Sequence, residues 1–444
     1  MQRVTIRIRH LLAVVLAFMA VAATMWTPAQ AADTIIRVRV QHTGDEVGAK
    51  KEPVEGVAVV ALDAAGKEIG RDETDAKGIA EIPVPTGGSF TVKLDPATLP
   101  KEFGLPEGDT GERTVTVTEG LGGNANFNLG SAGPEAKSRL DRLPQALFTG
   151  LRFGLVIAIM SVGLSLIYAT TGLSNFAHAE TVTLGAVVAW TVAANVRIFS
   201  GTTGFSAFLQ LAFATLCGVL VCTVFAGLLE TRVWRPMRRR HIGLTSMMIV
   251  SIGIAIFMRF LIQFRFGAQP KSFPQFSSQE NWNIGPFGAT PRDTIGAAIS
   301  LACIGGVAYM LLRTRTGKAI RAVSDNPDLS SSTGINTDRI ILFVWLLGGA
   351  LAGLSGVLFG LDEQVQWNMG SRLLLLMFAA ITLGGLGRPF GALVGSLVIG
   401  VTVQLWAWVF PSFTDLKNIG ALAALIIILL VRPQGILGKK ERIG

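Results

Sequence analysis

The sequence predicts an α-helical polytopic membrane protein of about nine membrane segments, some of them broken, preceded by a small extracellular β-sandwich. Three observations carry this expectation. Half of the 444 residues are hydrophobic and only 16% are charged, a balance rarely met in a soluble chain of this length. Residues 32–138 hold 18 acidic and 11 basic side chains, whereas residues 139–444 hold 12 and 25, so the composition changes near Ser131–Leu143. The first part alternates apolar and polar residues, and the second consists of long apolar runs. The overall charge of +9 lies mostly in loops between those runs, where it sets membrane orientation and does not imply nucleic acid.

Residues 1–31 read as a signal peptide. "MQRVTIRIRH" supplies Arg3, Arg7 and Arg9, an apolar core of 16 residues follows, and Ala29 and Ala31 give the small-residue cleavage pattern. The core is short for a span, which needs about 20 residues. Residues 32–130 read as short strands. "TIIRVRVQ" places Ile36, Val38 and Val40 on one face. "GVAVVALDAAGKEI", "GIAEIPVPTGGSFTVKL" and "RTVTVTEG" continue the alternation between Gly-rich turns. His42 stands alone and the acidic residues are scattered, so a structural or docking role is expected. Residues 131–145 read as a linker rich in Gly, Pro, Ser and charge.

Nine apolar segments follow, at about 146–168, 181–199, 206–230, 243–263, 293–312, 340–361, 373–386, 390–410 and 418–431. Counted from an exterior N-terminal part, the loops at 231–242, 313–339 and 432–444 fall inside and carry 14 basic residues. The loops assigned outside and their margins carry six, Arg197, Arg265, Lys271, Arg292, Arg372 and Lys417. The positive-inside bias thus agrees with the signal peptide. Residues 439–444 form a cytosolic tail. Cys217, Cys222 and Cys303 all lie in apolar runs and imply no disulfide framework.

Small residues recur inside the segments. Gly349 and Gly353, then Gly391 and Gly395, have the spacing that lets helices approach closely in lipid. Two stretches read as breaks. "LGGLGRPFG" concentrates Gly384, Gly385, Gly387, Pro389 and Gly391. "GLSNFAHAE" puts Asn175, His178 and Glu180 in apolar surroundings. Unwound backbone at membrane depth is tolerated only inside protein or beside a wet cavity, so these residues are candidates for a translocation path. The competing reading is a plain cytosolic turn, with Asn175 capping a helix that starts near Glu180. By sequence His178 is the nearest candidate partner for Glu180.

Several motifs carry a resemblance. "TDAKGIAEIPVPTGGSFTVKL", with Gly78, Gly88 and Phe90, is similar to the prealbumin-like repeats of bacterial surface proteins and carboxypeptidase regulatory domains. "YATTGLSNFAHAETVTLGAVVAW" resembles the segment shared by branched-chain amino-acid permeases of ABC importers, with Ala179 where that family usually has Gly. "RVWRPMR", "GKAIRAVSDNPDLSSSTGINTDRIILFVWLLGGALAGLSGVLFG", "LGGLGRPFGALVGSLVIG" and "RPQGILG" resemble the same family in order, covering nearly all of 146–438. The resemblance implies a permease that pairs with a second permease, two cytosolic ATPases and an extracellular solute-binding protein. It implies that Arg321–Asp338, including Pro327, Gly334 and Ile335, docks on the ATPase. It also implies leucine-type amino acids as substrates, or urea and short amides as in relatives.

The chain has no phosphate-binding G-x-x-x-x-G-K-[ST] stretch, so ATP is expected on partner chains and no cofactor on this one. A secondary transporter or channel would also explain broken helices. A surface receptor would explain the β-domain but not nine segments. An enzyme is not expected, because no metal-spaced His/Cys set and no nucleophile–base motif is present.

Overall fold

The computed structural model describes residues 35–43, 51–63, 66–76, 78–85, 88–95, 98–100, 103–105, 111–117, 123–131, 143–196, 204–273, 282–284, 287–410, 417–432 and 434–437. The signal-peptide and C-terminal tail readings lie outside the described residues. The described residues divide into a β unit and a helical unit.

Among the described residues, the N-terminal part of the β unit has nine strands in two sheets. One sheet runs β2 (Lys51–Pro53), β1 (Ile35–Thr43), β9 (Gly123–Ser131) and β7 (Phe103–Gly104), with β5 (Ile79–Pro83) also paired to β1. The other runs β4 (Glu68–Glu73), β3 (Ala58–Leu62), β6 (Gly88–Leu94) and β8 (Glu112–Val117). β1 and β9 pair in parallel. The alternation puts Ile36, Val38, Val59, Val92, Val115 and Phe127 into one core. The "T-D…G" pattern has a local cause. Buried Thr74 Oγ1 accepts from Val57 N at 2.9 Å and donates to Val54 O at 2.8 Å. Asp75 Oδ1 accepts from Ile79 N at 2.8 Å, which closes the turn into β5.

In the helical unit each of the nine apolar segments holds a helix. α1 is Leu143–Thr171, α2 Ala177–Asn195 and α3 Gly204–Leu229. α1 begins inside the stretch read as linker, since Pro144 in a first turn forfeits no helical hydrogen bond. α3 does not stop where a loop was expected. It passes through a π-helical turn, Glu230–Trp234, into α4 (Arg235–Arg238). There follow α5 (Leu244–Phe266) and α6 (Pro291–Arg313), and the two-stranded hairpin between them in sequence, β10 (Trp282–Ile284) and β11 (Phe287–Ala289), groups with the β unit. The polar segment after α6 holds α7 (Arg315–Asp325) and α8 (Pro327–Ser332). Last come α9 (Thr337–Glu363), α10 (Met369–Gly384), α11 (Pro389–Val409) and α12 (Lys417–Val431). Among the described residues, six helices are long and apolar enough to cross a membrane: α1, α3 with its continuation to Arg238, α5, α6, α9 and α11.

α1 and α9 are central, with 83% and 61% of their most apolar stretches buried, against 17% for α6. Glycines let them pack at backbone distance. A Cβ on Gly185 of α2 would lie 2.6 Å from the Cα of Gly353 in α9, and one on Gly163 of α1 would lie 3.3 Å from the Cα of Gly348. The small-residue pattern is therefore used within this chain. At one end of the helices Arg152 Nη1 meets Asp293 at 2.5 Å and Asp362 at 2.6 Å, linking α1, α6 and α9.

Candidate functional site in the helical unit

The site starts at the turn between α1 and α2. α2 begins at Ala177, three residues earlier than the sequence suggested, so His178 and Glu180 belong to its first turns. Asn175 does not act as the N-cap residue. Its Oδ1 accepts from Ala177 N at 3.1 Å, and Ser251 Oγ of α5 accepts from Phe176 N at 3.2 Å. These two contacts satisfy backbone donors that the break sets free. Ala179 is helical and fully buried, so no tight turn is needed where the family usually has Gly.

Depth follows from α5. Ser251 lies seven residues into that helix, about 10 Å at 1.5 Å per residue, and Arg259 fifteen residues, about 22 Å. The turn is thus packed against the body of α5, not against its beginning. This geometry disfavours a plain surface turn.

Glu180 is fully buried. Its partner is Arg259, not His178. Arg259 Nε and Nη2 donate to Oε1 at 2.9 and 2.8 Å, and Thr183 Oγ1 donates to Oε2 at 3.3 Å. Thr183 Oγ1 also accepts from Gly370 N at 3.0 Å, so the first turn of α10 joins the cluster. A Cβ on Gly370 would collide with the carbonyl oxygen of Ala179, which explains glycine there. His178 is directed elsewhere. Its Nε2 lies 3.1 Å from Met160 O and ties α2 to α1. Sequence reasoning missed Arg259, although it is the only charged residue in segment 243–263. A charge alone in an apolar helix is itself a signal for a partner at depth.

The second break lies between α10 and α11. Gly384 packs on Gly391, and Gly385 and Gly387 have φ of +107° and +72°. The carbonyls of Leu383 and Gly384, at the end of α10, accept from Ile436 N at 2.7 Å and Leu437 N at 3.2 Å. "RPQGILG" therefore seals this break. A Cβ on Gly387 would sit 3.5 Å from the Tyr168 ring and 3.7 Å from the Cα of Ala169. The two breaks thus meet at the end of α1. The glycines of the second break serve close packing and turning, and its one charged side chain, Arg388, donates to the carbonyl of Leu437.

The polar segment forms a separate constellation. Thr314 and Asn326 cap α7 and α8 through Gly317 N and Leu329 N, at 3.0 and 2.9 Å. Pro327 opens α8, and Gly334 ends it with φ +88°. Arg321, Pro327 and Gly334 are exposed, and Leu329 is 61% exposed. Ile335 instead packs against the core. Asp338 is held from within the chain, by Arg239 Nη2 at 2.7 Å on its side chain and Arg235 Nη2 at 2.9 Å on its carbonyl. Buried Glu230, in the π turn, pairs with both terminal nitrogens of Arg238. The stacked rings of Trp234 and Trp345, 5.9 Å apart, fasten the π-helical turn to α9 beside this network. No group of His, Cys, Asp and Glu among the described residues has the arrangement of a metal site.

Residues 146–430 match the family described as branched-chain amino acid transport system / permease component. The chain belongs to this family. The permease is 28% identical over 309 residues to the high-affinity branched-chain amino acid transport system permease protein LivH of Escherichia coli K12, covering 67% of the permease and 96% of that relative. It is 30% identical over 306 residues to BraD of Pseudomonas aeruginosa, with the same coverage. A probable LivH of Methanocaldococcus jannaschii is 28% identical over 295 residues, covering 64% of the permease and 89% of the relative. The β unit lies outside the family range. The permease is thus a multi-pass transport subunit of the ABC type, and its relatives are not enzymes.

Proposed function

We propose that the permease, paired with a second permease subunit, forms the translocation path of an ABC importer for branched-chain amino acids. Cytosolic ATP-binding subunits supply the energy, and an extracellular solute-binding protein delivers the substrate. The N-terminal β unit lies outside, the basic segments lie in the cytosol, and the protein resides in the inner membrane.

One observation carries the path. A salt-bridged pair, Glu180 and Arg259, sits among apolar helices, yet the Arg259 side chain remains 25% exposed. It opens on a face of α5 that carries Ile256, Phe257 and Phe260, all well exposed. Charge at such depth does not face lipid, but a wet cavity or protein. That face of α5, with α2 and α10 behind it, therefore lines the path against the second subunit. Asn175, His178 and Glu180 hold the broken backbone beside it, and Gly384, Gly385 and Gly387 shape the adjoining turn. Arg321, Pro327 and Gly334 present the exposed segment to the ATPase, whereas Ile335 and Asp338 anchor it.

Uptake of labelled leucine, isoleucine and valine into cells lacking their own importer tests this reading. Expression with the ATPase and binding-protein subunits should restore uptake, and a hydrolysis-dead ATPase should abolish it. Uptake that survives without a working ATPase would contradict the importer.

A further inference from the structure

We propose that Arg259 is a carboxylate-holding residue of the translocation path, gripping the carboxylate of each amino acid as it passes. This rests on the path described under the proposed function. The geometry is that of a guanidinium with one edge in use. Nε and Nη2 both point to Oε1 of Glu180, at 2.9 and 2.8 Å. The opposite edge, Nη1 with the second Nη2 hydrogen, has no partner among the described residues. Such an edge presents two parallel N–H groups at the spacing of a carboxylate's two oxygens. Around it on α5 stand Ile256 and Phe260, with Phe260 stacked on Trp367 at 6.5 Å. This apolar setting suits an aliphatic side chain.

Charge balance narrows the ligand further. Glu180 neutralises Arg259, so the resting pair adds no net charge to the path. A zwitterion leaves that balance intact, whereas an anion lacking an ammonium group adds −1 in poorly solvated surroundings. An amide forfeits the charge-assisted bonds and leaves the free edge unmatched. Glu180 is itself 1% exposed and does not reach the solute. It is a positioning residue that turns the guanidinium's free edge toward the path. A guanidinium already paired on one side holds a carboxylate less firmly than a lone one, which suits a place of transit.

The test uses the full complex in membrane vesicles, with the chain's own three cysteines replaced by alanine and Ile256→Cys introduced. Ile256 lies one turn before Arg259 and is 47% exposed. Alkylation of the new thiol by a small water-soluble maleimide is timed with leucine or with leucinamide present. Leucine should slow alkylation about tenfold more than leucinamide does, as expected for loss of a charge-assisted contact. The difference should vanish in the Glu180→Gln/Arg259→Gln double variant, which leaves no unpaired buried charge to unfold the chain. Equal protection by the two ligands, or a difference that survives in the double variant, overturns the inference and leaves the path intact. A thiol that never reacts overturns the path itself, and the inference with it.

Discussion

At the scale of single residues the permease separates two roles that its sequence placed side by side. Glu180 and His178 are two positions apart, yet one pairs with α5 and the other with α1. Glu180→Gln strands Arg259 without its counter-charge. Breaking a buried pair costs about 3–5 kcal/mol, and the partial exposure of Arg259 puts the effect at the lower end. Thermal unfolding in detergent should therefore fall markedly for Glu180→Gln and recover in Glu180→Gln/Arg259→Gln, while leucine uptake stays low in both. Recovery of uptake in the double variant would contradict a role in transport. His178→Ala removes one hydrogen bond and leaves a void, about 2–4 kcal/mol. Its expected signature is lower stability with near-normal uptake per folded molecule, read from uptake normalised to surface-labelled protein. Asn175 and Glu180 stood out in the sequence because they interrupt apolar chain. Arg259 was no less visible, but its pairing was not, since 79 residues separate it from Glu180 and only the packing of α5 on α2 brings them together.

At the scale of elements the apolar runs were readable because a helix in lipid needs continuous hydrophobicity, and the helices lie where those runs lie. Their ends were less readable. α3 runs on to Arg238 because Glu230 in the π turn finds Arg238 across two turns, a compensation that hydropathy does not register. The sandwich strands followed from period-two alternation, but β9 had not been singled out. Asn124, Asn126 and Asn128 interleave with Ala125, Phe127 and Leu129 in the sequence, and the parallel pairing with β1 joins residues 87 positions apart. Two predictions belong here. Gly334 has φ +88° and open space around its Cα, so a side chain there is penalised by backbone conformation alone, about 1–3 kcal/mol. Gly334→Val should abolish uptake while membrane insertion and substrate capture by the binding protein persist, and Gly334→Asn should retain activity because Asn tolerates this conformation. Asp338→Asn weakens the hold of Arg239 on the start of α9. Substrate-stimulated ATP hydrolysis by the assembled complex should drop, with unstimulated hydrolysis little changed. Unaltered stimulation would show that the clamp transmits nothing.

At the scale of the whole molecule the family range begins at residue 146, and the matched relatives are covered almost end to end without counterpart to the β unit. The sandwich has its own core and offers no polar cluster of catalytic type among its described residues. A chain lacking Thr34–Gly130, with residues 1–33 kept, should insert and retain part of its uptake if the unit is a spacer. Complete loss of uptake with normal insertion would instead assign it obligatory docking of a partner. Protease added to protoplasts should trim residues 32–138 and spare Arg238–Arg240, and the reverse pattern would invert the orientation.

The contact of Ile436 and Leu437 with the carbonyls of Leu383 and Gly384 has a consequence for biosynthesis. The acceptors are made more than fifty residues before their donors. At about 5–20 residues per second, the turn between α10 and α11 waits roughly 3–10 s for the segment that closes it. During that interval the nascent chain exposes bare peptide carbonyls that membrane quality control can recognise. A stop codon just before Gly435 would leave every apolar helix in place and still yield a permanently immature protein, cleared by proteolysis.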